Sequence, residues 1–412
     1  MGSCTSTLQG WEEKMITELL AVGAGYAIYK NLDKINIKRK WKEITFSKSE
    51  FTNKLEKTLK IWNIESTEYG HIIRIELPYG YTLEQLEKDL NVFKEGLGYK
   101  SIQLKSENNI VDMYCVKNFK FKDFIPIKLP PNKLLIGDGL TTPIVVDMNK
   151  FPHVLIGGDT GTGKSRILLL ILSNLIKYCS NVELYLLQIR KNDLGVFQNC
   201  SQVKVNSKTL EEVLESLKKI DVECKRREKL IDNTKGYYNI NDYNQKHYKL
   251  KYIYIIIEEF SFLNISRGDT VEEKKLKSKC LRYIKTIVNV GRSSGVFLIT
   301  ALQKPTNDSI PSDIKSQLTT RISLKIADSP AAIVILGNGK ATELQEREII
   351  CRTLGEQQGY SYTINHDIII ESIKHRFVEN KKDVTPAKVS NVKNDVNTNV
   401  SNILSILNEI NG

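Results

Sequence analysis

The order of apolar and polar positions predicts a small folded module near the start of the chain. Apolar and polar residues alternate in three short segments, which predict three strands: "IIRIEL", "SIQLK" and "IVDMYCV". Between the first and the second, "TLEQLEKDLNVFKEGL" has helical spacing, and Thr82 is the expected N-cap of that helix. The order strand, helix, strand, strand predicts a small α/β module over residues 61–125.

Residues 126–375 have a different pattern, in which short apolar runs alternate with helical spacing. The runs are "HVLIGG", "ELYLLQI", "IYIIIEE", "VFLITAL" and "RISLKI". Strands that are buried on both faces of a parallel sheet have such runs, because helices cover both faces. We therefore predict a larger α/β domain with a mainly parallel central sheet over residues 126–375.

The two ends of the chain have weaker patterns. Residues 1–60 contain an apolar segment from Leu19 to Tyr29, followed by a lysine-rich stretch. The segment is shorter than the roughly 20 residues that span a bilayer, and it fits an interfacial anchor, a truncated span or a helix packed on protein. Residues 376–412 begin polar and end in "VSNILSILNEI", which predicts a flexible tail with a short amphipathic helix.

Composition narrows the class of protein. With 41% hydrophobic and 26% charged residues, the chain is neither wholly disordered nor a polytopic membrane protein. The net charge of +12 fits a polyanionic partner, either nucleic acid or an anionic membrane surface, and it fits a lysine-rich solvated surface equally well. The seven cysteines include no C-x-x-C pair, which argues for the reducing cytosol. We expect a cytoplasmic protein, with residues 19–29 as the candidate for membrane association.

A glycine-rich segment after the first apolar run of the larger domain predicts a nucleotide site. "GDTGTGKS" fits the pattern G-x-x-x-x-G-K-[ST] and lies between a predicted strand and a predicted helix. Such a loop turns its backbone N–H groups toward a phosphate; Lys164 is expected to reach the β- and γ-phosphates and Ser165 to bind Mg²⁺. The predicted contacts for ATP are Gly158, Asp159, Thr160, Gly161, Thr162, Gly163, Lys164, Ser165 and Arg166.

Two further strand ends carry candidate chemistry. The buried strand in "YIYIIIEEF" ends in Glu258 and Glu259; the first is expected to hold Mg²⁺ and the second to polarise the attacking water. Aspartate is usual in place of Glu258, so its extra methylene is expected to move the metal contact outward. The strand in "VFLITALQKP" ends in Gln303, which is either a contact to the γ-phosphate or attacking water, or a glutamine in a loop.

Taken in order, these segments resemble the motor of the FtsK/SpoIIIE family of DNA translocases. The matching segments are "FPHVLIGGDTGTGKS", "YIIIEEF", "GRSSGVFLITALQKP" and "SQLTTRISLKIAD", within about residues 134–370. The resemblance implies a RecA-like P-loop NTPase that assembles as a hexamer around double-stranded DNA, with a catalytic role for Lys164 and Glu259. It also implies that Gln303 is a sensor and that Arg321 acts on the ATP of a neighbouring subunit, with Arg292 a second candidate. Either arginine could instead pair with a local carboxylate.

The compact layout is similar to that of the TcpA-type coupling proteins of Gram-positive mobile elements. That similarity implies delivery of plasmid or integrative-element DNA during conjugation, with relaxosome or transfer-channel proteins as partners. Two alternatives stay open: an ATPase of a protein secretion system, and a weakly hydrolysing nucleotide-dependent assembly module. A basic run after the acidic strand is either a DNA-phosphate contact or a solvated helix face. Its residues are Lys274, Lys275, Lys277, Lys279, Arg282 and Lys285.

Overall fold

The computed structural model describes residues 32–378, except residues 48, 108, 235, 248, 304 and 307. The chain divides into two compact units between Lys120 and Phe121. The candidate anchor at residues 19–29 and the tail beyond residue 378 lie outside the described residues. Within the described part, every helix is too short or too polar to cross a bilayer.

The first unit is built on a four-stranded antiparallel sheet in the order β1-β2-β4-β3. Its strands are β1 (Lys60–Thr67), β2 (Gly70–Glu76), β3 (Ser101–Glu107) and β4 (Ile110–Val116). Its helices are α1 (residues 32–47), α2 (Leu83–Lys88) and α3 (Leu90–Leu97). The three predicted strands are present, and β1 is an additional one. Thr82 caps α2 in a capping box with Gln85, as predicted, but the single predicted helix is two, because Asp89 leaves the helical conformation between them.

Helix α1 belongs to the core of this unit. Ile37 and Trp41 on α1 are buried in the same apolar cluster as Phe93 of α3. The indole Nε1–H of Trp41 donates a hydrogen bond to the carbonyl oxygen of Leu59 at 2.9 Å. The boundary predicted at residue 60 is therefore wrong, since it separates α1 from the core that α1 helps to form.

The second unit is built on a ten-stranded sheet in the order β6-β5-β14-β13-β12-β7-β11-β10-β8-β9. The six strands from β12 to β9 are parallel, and the remaining pairings are antiparallel. The strands are β5 (Lys133–Gly139), β6 (Pro143–Asp147), β7 (Val154–Gly157), β8 (Val182–Leu187), β9 (Val203–Ser207), β10 (Tyr252–Ile257), β11 (Val296–Leu302), β12 (Thr320–Ser323), β13 (Glu348–Arg352) and β14 (Glu356–Tyr360).

Helices cover both faces of this sheet. They are α4 (Lys164–Tyr178), α5 (Leu210–Asp232), α6 (Ile240–Lys246), α7 (Val271–Ser294), α8 (Ser312–Lys315), α9 (Ser329–Leu336) and α10 (His366–Ile373). Successive residues of β10 enter different apolar clusters: Tyr254 lies in the cluster that includes α4, and Ile255 lies in the cluster that includes α5 and α7. Because both faces are buried, the strands are continuously apolar. The predicted α/β fold with a mainly parallel sheet is confirmed.

The parallel strands bring the predicted chemistry to one edge of the sheet. Strands β7, β8, β10 and β11 point the same way, and β11 lies between β7 and β10. Their carboxyl ends carry the glycine-rich loop, the loop after β8, the two glutamates and Gln303. Ligand sites of parallel α/β sheets lie at this edge.

Candidate functional site

The loop between β7 and α4 has the conformation that its glycines allow. Gly161 has φ +83° and Gly163 has φ +113°, a backbone region that other residues rarely adopt. Asp159 connects the loop to the segment after β12: its backbone N–H donates to Lys325 O at 3.0 Å, and its Oδ2 accepts the N–H of Ala327 at 2.8 Å. The loop is thus tied to the chain that follows β12.

Lys164 lies inside this loop. Its Nζ donates hydrogen bonds to the carbonyl oxygens of Gly158 at 2.6 Å and Asp159 at 2.7 Å, and the side chain is buried. Burial lowers the pKa of Lys164 to about 8, and the nearby negative charge of Glu259 opposes that shift. A cation at the centre of a glycine-rich loop, at the start of a helix, is placed to bind a phosphate.

The other predicted nucleotide contacts surround Lys164. Thr162 donates from its Oγ1 to Asp159 O at 2.8 Å, Thr160 and Gly161 are exposed in the loop, and Arg166 is exposed in the first turn of α4. Ser165, the predicted metal ligand, donates from its Oγ to Oδ2 of Asp193 at 2.9 Å. Asp193 belongs to the loop after β8, so the start of α4 is linked to a strand on the far side of β10.

Glu258 is the more buried of the two adjacent acids. Its side chain is 1% exposed, and neither carboxylate oxygen receives a hydrogen bond. The nearest cation is Lys191, whose Nζ is 3.9 Å from Oε1. Burial and the neighbouring Asp193 carboxylate raise the pKa of Glu258 to about 8. The contact between Glu258 and Asp193, together with the hydrogen bond from the Ser165 hydroxyl, keeps the pKa of Asp193 below its usual range.

Glu259 is held in a different way. Its Oε1 accepts a hydrogen bond from Ser261 Oγ at 2.8 Å, and the backbone N–H of Gln303 donates to both of its oxygens. Glu259 also lies close enough to Lys164 to raise that residue's pKa. The structure therefore brings Lys164, Glu259 and Gln303 together, with the carboxylate of Glu259 fixed by its neighbours.

Sequence reasoning missed the loop after β8. Lys208 donates from Nζ to Lys191 O at 2.9 Å and to Oδ1 of Asn192, and the N–H of Leu194 donates to Oε1 of Gln188 at 2.9 Å. These contacts hold the loop at the site. The signal was present in the sequence, because the polar run "RKND" follows the apolar strand that pairs with β10.

The donor set fits Mg²⁺. A hydroxyl from Ser165 and carboxylates from Glu258 and Asp193 converge, and oxygen donors of this kind are those that Mg²⁺ prefers. The two oxygens of Glu258 are buried without a donor, so this side chain needs a proton or a cation. In the described ranges, no three Asp, Glu, His or Cys side chains form a metal site by themselves. Mg²⁺ usually depends on substrate phosphates and water for its remaining ligands.

The two candidate arginines have local partners. The guanidinium of Arg321 donates to the carbonyl oxygens of Lys315, Leu318 and Ile335 at 3.1–3.2 Å. The alternative of a local carboxylate partner is wrong for Arg321, since its partners are carbonyl groups. Arg292 is exposed at the end of α7, at the edge of the sheet opposite the loop, and its Nε donates to Asn149 O at 2.9 Å.

One of the predicted DNA contacts is a structural residue. Lys277 is buried, and its Nζ donates to Asn264 O and to both carboxylate oxygens of Asp269 at 2.8–2.9 Å. Its prediction as a DNA contact is corrected on that ground. Lys285 forms an ion pair with Asp313 at 2.6 Å. Of the other predicted DNA contacts on α7, Lys274 is half-buried and Lys275, Lys279 and Arg282 are exposed, as is Lys285.

Comparison with known protein sequences supports the predicted resemblance. The model of the FtsK/SpoIIIE family matches residues 128–336. The DNA translocase FtsK of Staphylococcus aureus is 27% identical over 274 residues, and the match covers 62% of this chain and 33% of that protein. The DNA translocase SpoIIIE of Bacillus subtilis is 27% identical over 280 residues, and the match covers 63% of this chain and 34% of that protein. The match thus spans about a third of the length of these curated relatives.

Solved structures show the same fold. The pCW3 conjugation coupling protein TcpA, with ATPγS, superposes with a TM-score of 0.60 at 23% identity, over 82% of this chain and 99% of that chain. The type VII secretion ATPase EccC of Thermomonospora curvata has a TM-score of 0.50 at 18% identity, over 64% and 33% of the two chains. EssC of Geobacillus thermodenitrificans has a TM-score of 0.52 at 14% identity, over 62% and 50%. These likenesses confirm the predicted P-loop NTPase fold.

Proposed function

The chain belongs to the FtsK/SpoIIIE family, and from this premise we propose that it hydrolyses ATP to move DNA. The observation that carries the proposal is the arrangement at the carboxyl edge of the sheet. There Lys164 sits in the glycine-rich loop, close to Glu259, whose carboxylate is fixed by Gln303. A phosphate-binding cation beside an oriented carboxylate is what hydrolysis of a phosphoanhydride requires.

Each residue at this edge has a part in the proposed reaction. Lys164 and the backbone N–H groups of the loop bind the β- and γ-phosphates. Ser165 and Glu258 hold Mg²⁺, which when bound neutralises phosphate charge. Glu259 orients the attacking water and accepts its proton, and Gln303 contacts the γ-phosphate or that water.

The finer proposal is a coupling protein for conjugative transfer of plasmid or integrative-element DNA. It is supported by the likeness to TcpA, which extends over nearly all of that chain, whereas the match covers only a third of FtsK. In this proposal the chain forms a hexameric ring around DNA, and relaxosome or transfer-channel proteins are its partners. The exposed basic residues of α7 contact phosphates without reading bases.

The test is ATP turnover by the full chain with double-stranded DNA, with single-stranded DNA and without DNA, with particle size measured in parallel. We expect DNA to raise turnover, the rise to shrink as salt increases, and larger particles to form with ATP and DNA. Lys164→Ala is expected to abolish turnover because the phosphates lose their cation. Comparable turnover with and without DNA would overturn the proposal.

Two other outcomes point to the alternatives. Vigorous turnover that does not depend on DNA favours a protein secretion ATPase. The type VII secretion ATPase EccC, and EssC, have a fold similar to that of this chain. Negligible turnover that rises in Glu258→Asp favours a weakly hydrolysing assembly module, because the shorter acid is the usual one at this position.

A further inference from the structure

The loop that follows β8 carries an acid that reaches the nucleotide site. We infer that Asp193 is a third protein residue of the Mg²⁺ site, alongside Ser165 and Glu258. The inference rests on the proposed ATP site and adds a residue to it.

The contact with Ser165 places Asp193 beside the expected metal position. A serine at the second position of α4 has its hydroxyl directed toward the place of the metal. The partner of that hydroxyl here is Oδ2 of Asp193, at 2.9 Å. Asp193 itself is exposed, and its carboxylate is also in contact with Glu258.

Glu258, next to Asp193, is a buried acid without a hydrogen-bond donor. Its side chain is 99% buried, and both of its oxygens lack a hydrogen-bond donor, although a buried carboxylate needs one. Its neighbour Asp193 is also acidic, so the Glu258 oxygens need either a proton shared by the pair or a cation, and when both acids are ionised neither can donate to the other. A divalent cation between the two carboxylates and the Ser165 hydroxyl satisfies all three groups.

The nearby lysines do not remove this need. Lys191 Nζ is 3.9 Å from Glu258, too far for a hydrogen bond. Lys208 is used elsewhere, since its Nζ donates to the carbonyl of Lys191 and to Asn192. Both cations moderate the acidic charge, and neither supplies a donor to Glu258.

The residues on either side of Asp193 in the chain hold the loop in place. Lys208 holds the backbone of Lys191 and the side chain of Asn192, and Gln188 holds the N–H of Leu194. The loop is thus fixed on both sides of Asp193. A carboxylate that its surroundings hold in place can serve a metal without a large ordering cost.

The test uses Mn²⁺ as the probe and electron paramagnetic resonance as the readout. The full chain is loaded with a non-hydrolysable ATP analogue, and bound Mn²⁺ is measured as its concentration rises. We expect Asp193→Asn to weaken Mn²⁺ affinity about 10- to 100-fold, as loss of a group that supports a metal does. Affinity for the analogue in EDTA is expected to stay at the wild-type value.

Asn192→Ala is the matched control, because it loosens the same loop and keeps the carboxylate. Unchanged Mn²⁺ affinity in Asp193→Asn overturns the inference, and so does an equal loss in both variants, since that assigns the effect to the loop. If Asp193→Asn fails to bind the analogue in EDTA, Asp193→Ser replaces it in the same comparison. The readout needs no DNA, so a wild-type chain that binds Mn²⁺ with nucleotide but ignores DNA fails the proposed function alone.

Discussion

The backbone N–H of Gln303 donates to both carboxylate oxygens of Glu259, at 3.3 and 3.2 Å. The contact joins the carboxyl ends of two neighbouring parallel strands, β10 and β11. Because the donor is a backbone group, the orientation of Glu259 does not depend on the Gln303 side chain. The carboxylate and the amide side chain can therefore be tested separately.

Glu259→Gln is expected to keep nucleotide affinity and to lower turnover by at least about 10²-fold, because the amide cannot accept a proton from water. Steady-state ATPase rates and binding of a fluorescent ATP analogue measure the two effects. Gln303→Ala serves as the control, since it keeps the N–H that orients Glu259, and any loss there belongs to the amide side chain. Turnover of Glu259→Gln near the wild-type rate would remove Glu259 from the reaction.

Two lysines on α7, two residues apart, are expected to respond differently. Lys279→Ala is expected to reduce the salt dependence of DNA affinity by about one unit in the slope of log K against log salt, as loss of one phosphate contact does. Lys277→Ala is expected to leave that slope unchanged and to lower the melting temperature, because Asp269 and Asn264 O lose their partner. Fluorescence anisotropy with duplex DNA and thermal melts test the pair. The reverse pattern would place Lys277, and not Lys279, on the DNA.

Arg321 caps the end of α9, where the last carbonyl oxygens of the helix have no partner within it. Its guanidinium bonds Ile335 O there and Lys315 O nearby. Arg321→Ala is expected to lower the free energy of unfolding by about 2 kcal/mol, the range for hydrogen bonds to a charged group. Urea denaturation without nucleotide measures this, with the exposed Arg292→Ala as the control. Wild-type stability combined with lost turnover would instead support the predicted action on a neighbouring subunit.

Some features of this fold could be predicted because periodicity reports burial. The continuous apolar runs of β7, β10 and β11 indicated strands covered on both faces. Motif patterns and the family resemblance selected Lys164, Glu259 and Gln303, which lie together because the carboxyl ends of parallel strands meet at one edge of the sheet. The two-helix break at Asp89 was not visible, since the apolar spacing continues through it. Periodicity carries no information about which polar groups become partners.

The partners of Lys277, Arg321 and Ser165 show the consequence. The lysine-rich run on α7 has the sequence of a solvated helix face, but Lys277 within it is buried and bonded to Asp269. Arg321 bonds the carbonyl oxygen of Ile335, which has no partner within α9 because the helix ends there. Asp193 meets Ser165 across intervening strands, in a contact that depends on the strand order of the whole sheet. Such contacts follow from the assembled fold and not from local sequence.

His153, just before β7, is a buried neutral histidine. Its Nδ1 accepts the N–H of Leu298 at 3.0 Å, so that nitrogen carries no proton, and Nε2 then donates to Val288 O at 2.9 Å. Burial lowers its pKa to about 4. The residue also has φ +63°, a conformation that asparagine tolerates better than most residues.

The depressed pKa of His153 predicts how stability depends on pH. In the unfolded chain this histidine binds a proton as the pH falls below its ordinary pKa of about 6.5. In the folded chain it stays neutral until about pH 4. Stability from this group is therefore complete above pH 6.5 and falls as pH is lowered, by about 2 kcal/mol between pH 7.5 and pH 5. His153→Asn keeps the backbone conformation and removes the titration. Urea unfolding of both proteins at the two pH values is expected to show a smaller loss in the variant by about that amount; equal losses would mean that His153 is protonated in the folded chain.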